Sequence, residues 1–472
     1  MVHSYIRDLH KKLVSKELSA IELLDSSHSL IEKQNSTINA FLEVWKTESQ
    51  KEARLVDDRI KRGEEISMVA GIPLAVKDNI LIEGRQVTAA SKILEGYKAS
   101  YSASVIQKLK TAGSVFLGRT NFDEFAMGGS TENSAYGATK NPHDVSRVPG
   151  GTSGGSAAAV ASGMAPFALG SDTGGSIRQP AAFCGVVGFK PSYGRVSRSG
   201  LIAMTSSFDQ IGSFGQSVED AEILFRAIEG EDPLDSTTIA INEVISQKKE
   251  YIVGVPKEYF QEGLDKKIEE TIRGSFKKIE GYSANWSVRF EEISLPNMSY
   301  ALACYYMIMF AESSSNLARF DGVRYGARIE GDNLFDVYKN TRGAGFGTEV
   351  KRRIAIGTFV LSHGYYDAYY LQAQRVRTLI SQDFQKAFES VDVIATPTTP
   401  TLPFKLGEKI SDPLTLYLED IYTVSVNLAG LPALSLPVGK VGGLPVGLQL
   451  IGKRFGDYAL LDIAKRFEAA IA

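Results

Sequence analysis

Two glycine-rich stretches carry the hydroxyl groups whose types and spacing could do chemistry. Residues 149–159 read PGGTSGGSAAA and residues 170–180 read GSDTGGSIRQP, so paired glycines stand beside serine or threonine in both. Ten glycines lie between Gly150 and Gly188, interleaved with alanine, valine and leucine. A flexible linker would be polar, whereas glycine in an apolar stretch usually marks a close backbone approach. The pattern predicts a rigid, buried loop that holds one or more hydroxyl groups.

These stretches do not fit the common phosphate-binding loops. A P-loop needs a lysine after its last glycine, whereas GGTSGGS runs into alanines, and the G-x-G-x-x-G pattern is absent. A serine nucleophile with a histidine base is an open alternative. Only His143, one of five histidines, lies near the glycine-rich region.

Lys77 is a second candidate base, because it interrupts the apolar run GIPLAVKDNI at 71–80. A lysine in such a run is either a charge on an edge strand or a desolvated amine. Burial disfavours the ammonium form and lowers the pKa of lysine. A neutral Lys77 amine could therefore accept a proton from a nearby hydroxyl.

Short apolar runs that end at glycine, proline or polar residues surround these groups and predict buried strands. Helical patterns separate the runs, and a capping box at Ser19 and Glu22 begins a helix through about Lys33. The alternation predicts an α/β fold with a central mixed β-sheet covered by helices on both faces. Strands are expected at 71–80, 114–120, 167–172, 184–190, 251–256, 391–400, 431–439 and 444–452, and further helices at 102–112 and 458–470.

Strands from both ends of the chain are expected to share one core, which predicts a single domain over residues 1–472. Its parts are an N-terminal helical segment at 1–62, a catalytic core at 63–240, a mostly helical insertion at 241–390, and core strands with a helix at 391–472.

Composition limits the possible partners and ligands. The net charge is −3 without a long basic run, so no direct nucleic-acid surface is visible. Metal-ligand spacings and apolar runs of about 20 residues are absent from the sequence. The first residues, MVHSYIRDLHKKLV, lack the apolar core of a signal peptide. Cys184 and Cys304 lie in apolar surroundings and are expected to be buried free thiols. We expect a cytoplasmic protein, with an organelle as the alternative, and no membrane contact.

The quoted stretches resemble a known family. GIPLAVKDNI, PGGTSGGSAAAVASG and GSDTGGSIRQPAAFCGVVGFKPSYGRVS resemble the amidase signature family. TNFDEFAMGGSTENSAYG (120–137) and EVKRRIAIGTFVLSHGYYDAYYLQAQRVR (349–377) are similar to its glutamine-hydrolysing members, which serve tRNA-dependent amidotransferases. The resemblance covers nearly the whole chain and implies the amidase-signature fold.

The resemblance implies a serine–serine–lysine arrangement. Ser176 matches the acyl-forming nucleophile, with a helix N-cap as its alternative role, and Lys77 matches the base. The relay hydroxyl falls at Thr152, where the family usually has serine after a cis peptide bond. Ser153 is the alternative relay, and an impaired relay is a third outcome. The backbone N–H groups of the loop before Ser176 are expected to stabilise an oxyanion, and they belong to Thr173, Gly174, Gly175 and Ser176 itself.

The resemblance also implies a grip on the two charged groups of an amino-acid substrate. Arg353 matches the residue that binds the α-carboxylate, with Arg352 as the alternative, and Asp420 matches the residue that binds the α-amino group. Tyr305 or Tyr306 is expected in the same pocket. Ordinary surface salt bridges are the alternative for both charged positions.

The AMGGSTE loop is expected to border this pocket. Gly128 of that loop is taken as a substrate-binding position. Gly129 stands where the family usually has serine, so a water molecule or a neighbouring backbone group would replace a lost contact.

The activity implied by the resemblance is hydrolysis of glutamine to glutamate and ammonia. The ammonia would pass to a partner subunit that amidates Glu-tRNA(Gln). No cofactor or metal is implied in this chain, whereas ATP and magnesium are expected on the partner. Subunits B and C are the implied partners, and Glu-tRNA(Gln) would be bound mainly through them. A stand-alone amidase for small amides and a non-catalytic scaffold remain the alternatives.

Overall fold

A single mixed β-sheet runs through the chain, whose computed structural model describes residues 4–243, 248–261, 263–282 and 285–472. The described strands are β1 Phe41–Val44, β2 Pro73–Lys77, β3 Val115–Thr120, β4 Phe167–Asp172, β5 Val187–Lys190, β6 Gln210–Gly215, β7 Glu250–Pro256, β8 Ser287–Ile293, β9 Val393–Pro397, β10 Ala433–Val441 and β11 Leu444–Ile451. Their order across the sheet is β1-β3-β2-β4-β6-β5-β10-β11-β9-β7-β8.

Helices connect and cover these strands. The α-helices of the described residues are α1 Tyr5–Val14, α2 Ala20–Ile38, α3 Lys46–Lys61, α4 Ser104–Ala112, α5 Gly154–Ala161, α6 Arg178–Cys184, α7 Val218–Ile228, α8 Lys266–Glu280, α9 Ala301–Asn316, α10 Leu334–Gly345, α11 Thr348–Val360, α12 Gln372–Ala387, α13 Pro413–Tyr417, α14 Val424–Ala429 and α15 Asp457–Ile471. Helices α9 to α12 follow one another between β8 and β9, in the part of the chain where a mostly helical insertion is predicted.

The strand directions divide the sheet into two parallel groups joined by antiparallel strands. Strand β2 is parallel to β3 and β4, and β7 is parallel to β8 and β9. The strands between these groups, β6, β5, β10 and β11, pair in antiparallel fashion. The C-terminal hairpin β10–β11 therefore lies in the middle of the sheet, as the prediction of a shared core requires.

Helices lie on both faces of the sheet, as two neighbouring residues of β5 demonstrate. A Cβ atom at Gly188 would lie 2.6 Å from Ala181 of α6. Phe189 points to the opposite face, because side chains alternate along a strand, and its ring packs edge-on against Phe225 of α7 with centroids 5.1 Å apart. The predicted fold class is confirmed. The division of the chain into four parts stays a prediction.

Each predicted strand and helix is present within a few residues of its expected bounds. The N-terminal capping box is confirmed, because Ser19 accepts from the Glu22 amide while the Glu22 carboxylate accepts from the Ser19 amide. Three strands were not predicted. Strand β1 is a four-residue stretch between charged helices, β6 (QIGSFG) has the composition of a loop, and β8 is a partly exposed edge strand rich in charge.

Both cysteines are buried free thiols, as predicted. Burial raises the pKa of Cys304 to about 12 and that of Cys184 further. Among the helices of the described residues, none has the length and apolar character needed to cross a membrane.

Candidate active site

Lys77 is the last residue of β2 and is completely buried. Its Nζ lies 2.8 Å from Thr152 Oγ1, 2.8 Å from Ser153 Oγ and 2.9 Å from Ser171 Oγ. Burial lowers the pKa of Lys77 to about 7, although nearby aspartates favour the ammonium form. A substantial fraction of the amine is therefore neutral at neutral pH and able to accept a proton. We call Lys77, Thr152, Ser153, Ser171 and Ser176 the catalytic centre.

The loop before α5 holds Thr152 and Ser153 by close backbone contacts. A Cβ atom at Gly151 would collide with the Asp123 carboxylate, and one at Gly154 would collide with Thr131. The Gly151–Thr152 peptide bond is cis, as the resemblance implies. These contacts explain the glycines of PGGTSGG and exclude a flexible linker.

The hydrogen-bond partners of the two hydroxyl groups distinguish Thr152 from Ser153. Ser153 Oγ donates to the Ser171 carbonyl at 3.0 Å, so it faces Lys77 as an acceptor. Thr152 Oγ1 has Lys77 Nζ as its one hydrogen-bond partner among the described residues. The Thr152 hydrogen is therefore available to a neutral amine, which favours Thr152 over Ser153 as the relay.

Ser176 lies between β4 and α6, and its side chain is nearly buried, with 8% of the residue exposed. Its carbonyl accepts from the Ser153 amide at 3.1 Å, which places it beside the loop that holds Thr152. Ser176 Oγ makes no hydrogen bond to a described residue. Helix α6 begins at Arg178 without a side-chain cap, so the alternative role of Ser176 as an N-cap is wrong.

Asp172 fixes the backbone on both sides of Ser176. Its carboxylate accepts from the Gly175 amide and from the Ile177 amide, each at 3.0 Å. Burial alone would raise the pKa of Asp172, but the buried Arg178 guanidinium lowers it to about 2. The loop thus rests on an ionised carboxylate.

One of the expected oxyanion donors is occupied in this geometry. The Gly175 amide donates to Asp172 in this structure, and its part in stabilising an oxyanion stays a prediction. The amides of Thr173, Gly174 and Ser176 remain candidates. Position 174 has no room for a side chain, because a Cβ atom there would lie 2.5 Å from Tyr305.

The AMGGSTE loop packs against the catalytic centre. Gln179 Nε2 donates to the Gly129 carbonyl at 3.0 Å while Gln179 Oε1 accepts from the Gly151 amide at 2.7 Å, so one side chain joins the two loops. A Cβ atom at Gly128 would collide with Asp123. A Cβ atom at Gly129 would meet only ordinary contacts, the nearest being 3.4 Å from Leu416, so this position has space for a Cβ atom.

Two adjacent carboxylates support this loop and a distant helix. Asp123 accepts from the Thr131 and Asn133 amides, and burial raises its pKa to about 7. Glu124 accepts from the amide of Gly347, the residue that precedes α11, and burial raises its pKa to about 7 as well.

Arg353 projects from α11 and is buried, whereas the neighbouring Arg352 side chain is 39% exposed. Arg353 Nε donates to Glu349 Oε1 at 2.7 Å, and its guanidinium carbon lies 5.2 Å from the centre of the Tyr417 ring. The Glu349 carboxylate raises the pKa of Arg353 above its ordinary value, against the effect of burial. Of the two arginines, Arg353 is the one placed inside the protein.

Asp420 ends a short 3-10 turn, Leu418–Asp420, and accepts from the Tyr306 hydroxyl at 2.8 Å. Burial raises the pKa of Asp420 to about 7. Tyr305 instead stacks on Phe208 and abuts Gly174. The two tyrosines therefore have different positions, Tyr305 at the nucleophile loop and Tyr306 at Asp420. We call Arg353, Glu349, Tyr306, Tyr417 and Asp420 the clamp.

The clamp adjoins the catalytic centre through Thr423. Its Oγ1 donates to the Gly174 carbonyl at 2.5 Å, and its amide donates to the Asp420 carbonyl at 3.0 Å. The residues expected to bind substrate and those expected to react with it are thus joined over a few bonds.

Sequence reasoning did not single out several residues of this site. Asp172 follows an apolar strand and Arg178 stands in the apolar helix RQPAAFC, which are signals of a buried ion pair. The roles of Asp123, Ser171 and Gln179 had no comparable signal. In the described ranges, no cluster of three or more histidine, cysteine, aspartate or glutamate side chains could hold a metal ion.

Comparisons with known proteins identify the family of this chain. The amidase family model matches residues 22–461. Similar proteins include the A subunits of glutamyl-tRNA(Gln) amidotransferases. The one from Geobacillus thermodenitrificans is 52% identical, over 98% of this chain and 96% of its own, and the one from Trichormus variabilis is 54% identical, over 98% and 97%. The crystal structure of the Thermotoga maritima counterpart is 41% identical with a TM-score of 0.80, covering 99% of this chain and 96% of its own. Since the family model spans most of its length, the chain belongs to the amidase family.

Proposed function

We propose that this chain is the glutamine-hydrolysing subunit of a glutamyl-tRNA(Gln) amidotransferase, the enzyme named by the relatives it resembles along its whole length. One observation carries the proposal: the amine–hydroxyl centre at Lys77 adjoins a clamp with one buried cation, Arg353, and one carboxylate, Asp420. An amidase for simple amides would need the first of these features and not the second. Free glutamine, a zwitterion with a side-chain amide, uses both.

The first half of the reaction forms an acyl-enzyme. Neutral Lys77 takes the hydroxyl proton of Thr152 while Thr152 takes that of Ser176, and Ser176 Oγ attacks the side-chain carbonyl carbon of glutamine. The negative charge that develops on the carbonyl oxygen is stabilised by amides of the 173–176 loop. The proton returns along the same path to the leaving nitrogen, which departs as ammonia.

The second half uses the same groups in the same order. A water molecule gives its proton through Thr152 to Lys77 and attacks the γ-glutamyl ester on Ser176. Collapse of the intermediate returns the proton to Ser176 Oγ and releases glutamate. No group in this cycle needs a metal ion or a cofactor, and every proton taken by Lys77 is given back.

The clamp orients glutamine for this attack. Arg353 binds the α-carboxylate through a charge-assisted pair of hydrogen bonds, and Asp420 binds the α-ammonium. We place the sites for ATP, magnesium and Glu-tRNA(Gln) on the partner subunits B and C, which receive the ammonia. The complex would act in the cytoplasm or in an organelle.

Ammonia release from glutamine tests the proposal, measured for the full chain alone and together with its partner subunits. The wild type is expected to release ammonia and Ser176→Ala to release none. Thr152→Ser keeps the relay oxygen and should stay active, whereas Thr152→Ala should lose about 100-fold or more of turnover.

Ser153→Ala is the matched control for Thr152→Ala, because both remove a hydroxyl 2.8 Å from Lys77 Nζ. Its loss should be smaller, since the Ser153 hydrogen is already donated to the Ser171 carbonyl. If Thr152→Ala is as active as the wild type, the relay role belongs to another hydroxyl group. A wild type that is silent in every assembly, while Thr152→Ser is active, would favour a relay-impaired scaffold.

A further inference from the structure

The Arg353 guanidinium is held along one edge. Its Nε donates to Glu349 Oε1 at 2.7 Å, and the same oxygen accepts from the Tyr417 hydroxyl at 2.6 Å. Among the described residues, Nη1 has the Met309 sulfur as its one hydrogen-bond partner, at 3.7 Å, and Nη2 has none. The outer pair of nitrogens is therefore left for a carboxylate, in the fork geometry that arginine presents.

A continuous series of contacts leads from this arginine to Asp420. The Tyr417 ring stacks on Tyr306, with centroids 4.3 Å apart and planes inclined by 26°. The Tyr306 hydroxyl donates to Asp420 Oδ2 at 2.8 Å. Glu349, Tyr417 and Tyr306 thus connect the two charged ends of the clamp.

The charges in the clamp are only partly matched by one another. Glu349 is shared, because it pairs with Arg352 as well as with Arg353. Asp420 has a hydroxyl rather than a cation as its hydrogen-bond partner. The two arginines, Glu349 and Asp420 have a net charge of zero when all are ionised. A bound zwitterion therefore adds no net charge, and it pairs with one cation and one anion. Burial raises the pKa of Asp420 to about 7, which agrees with a carboxylate that lacks its cation.

We propose that Glu349 and Tyr417 are positioning residues that hold the Arg353 guanidinium in place for the carboxylate of the substrate. The inference rests on the proposed function and deepens it. The competing explanation is that Glu349 merely stabilises α11 through its i,i+4 pair with Arg353.

Three substrates separate these explanations. Glutamine carries both charged groups, glutaramate lacks the α-amino group, and γ-aminobutyramide lacks the carboxylate. Ammonia release from each is measured with the full chain in complex with its partner subunits, for the wild type and for Glu349→Gln, Glu349→Asp and Tyr417→Phe. Glu349→Asp keeps the charge and shortens the reach, so it tests position rather than charge.

The expected result for the Glu349 variants is a loss of about tenfold in kcat/KM on glutamine and on glutaramate, carried by KM. The loss on γ-aminobutyramide should stay below about twofold, because that substrate does not use Arg353. Tyr417→Phe should show the same pattern with a smaller loss. Glu52→Gln is the matched control, since it removes a partly buried carboxylate that accepts from Arg85 and from the Phe116 amide outside the site.

Equal losses on all three substrates, or an unchanged KM for glutamine, would overturn the inference while leaving the proposed function in place. A wild type that releases no ammonia from glutamine would overturn the proposed function and this inference with it. The melting temperature of each variant is measured as well, so that a loss of kcat/KM caused by unfolding is recognised.

Discussion

The catalytic centre and the clamp are built in opposite ways. Apart from Lys77, the catalytic centre uses short side chains at strand ends and in glycine-rich loops, which backbone amides and carbonyls help to hold. Apart from Asp420, the clamp uses long side chains from α9, α11 and the end of α13, which hold one another by hydrogen bonds and stacked rings. We therefore expect the chemistry to depend on a rigid backbone, and the choice of substrate to depend on side chains that can be altered one at a time.

The largest expected effect comes from removing the base of the catalytic centre. Lys77→Met should lower turnover of glutamine by about 10³-fold or more, because general-base catalysis and the nucleophile it activates are lost together. KM should change little, since the clamp is untouched. Steady-state ammonia release measures both constants.

Lys190→Met is the control for the cost of replacing a buried lysine. Burial lowers the pKa of Lys190 to about 7, as for Lys77, but among the described residues its Nζ donates to the Pro191 carbonyl and makes no hydrogen bond to a hydroxyl group. This variant should retain turnover. If both variants lose turnover equally, the special position of Lys77 is refuted.

An intermediate effect is expected from the cation of the clamp. Arg353→Met should raise KM for glutamine by about 100-fold, since a buried charge-assisted contact with the carboxylate is lost. Turnover at saturation should fall much less. Arg352→Met is the neighbouring control and should raise KM by less than about threefold, because its side chain is 39% exposed. A larger effect at Arg352 would reassign the carboxylate contact.

The smallest expected effect is on the shape of the pH profile. Below pH 7 the amine of Lys77 becomes protonated and cannot act as a base, and the carboxylate of Asp420 becomes protonated and cannot attract an ammonium. For glutamine, log kcat/KM should therefore fall toward acid with a slope of about two, and for glutaramate with a slope of about one. Other carboxyl groups near Lys77 affect both substrates alike.

Asp420→Asn provides the control for this profile. It removes the second titration, so the glutamine profile should take the shape of the glutaramate profile. Identical slopes for the two substrates in the wild type would exclude Asp420 as the partner of the ammonium.

The sequence predicts the catalytic centre better than the clamp, for a physical reason. Strands of apolar residues and glycines at close contacts are local features, so the sequence predicts Lys77 inside a buried strand and residues 149–159 in a rigid loop, whereas the relay role of Thr152 comes from the resemblance. Strand β6 could not be predicted, because its composition resembles a loop and its burial comes from its neighbours. Glu349 and Tyr417 could not be predicted either, because a helical pattern gives a buried face and not its partner 68 residues away.

The Gly175 amide is an instructive case on a smaller scale. A run of consecutive N–H groups suggests that all of them face the substrate. The Asp172 carboxylate takes one of them, and that choice depends on an ion pair with Arg178 that no local pattern specifies. Asp420 and Arg353 were placed by resemblance alone, and their roles in binding stay predictions until the substrate series is measured.

Asp123 and Glu124 are adjacent in the chain, yet they hold different regions. Asp123 accepts amides of the loop that packs on Thr152, and Glu124 accepts the amide before α11, the helix that carries Arg353. Because Asp123 and Glu124 are consecutive, we expect the order of the loop and the order of the helix to be coupled. Where the order of the two regions is coupled, thermodynamic reciprocity requires that a ligand which orders the helix also orders the AMGGSTE loop, and that a ligand which orders the loop raises affinity at the helix by the same factor. Binding of substrate at the clamp and ordering of the loop beside Thr152 would then be parts of one equilibrium.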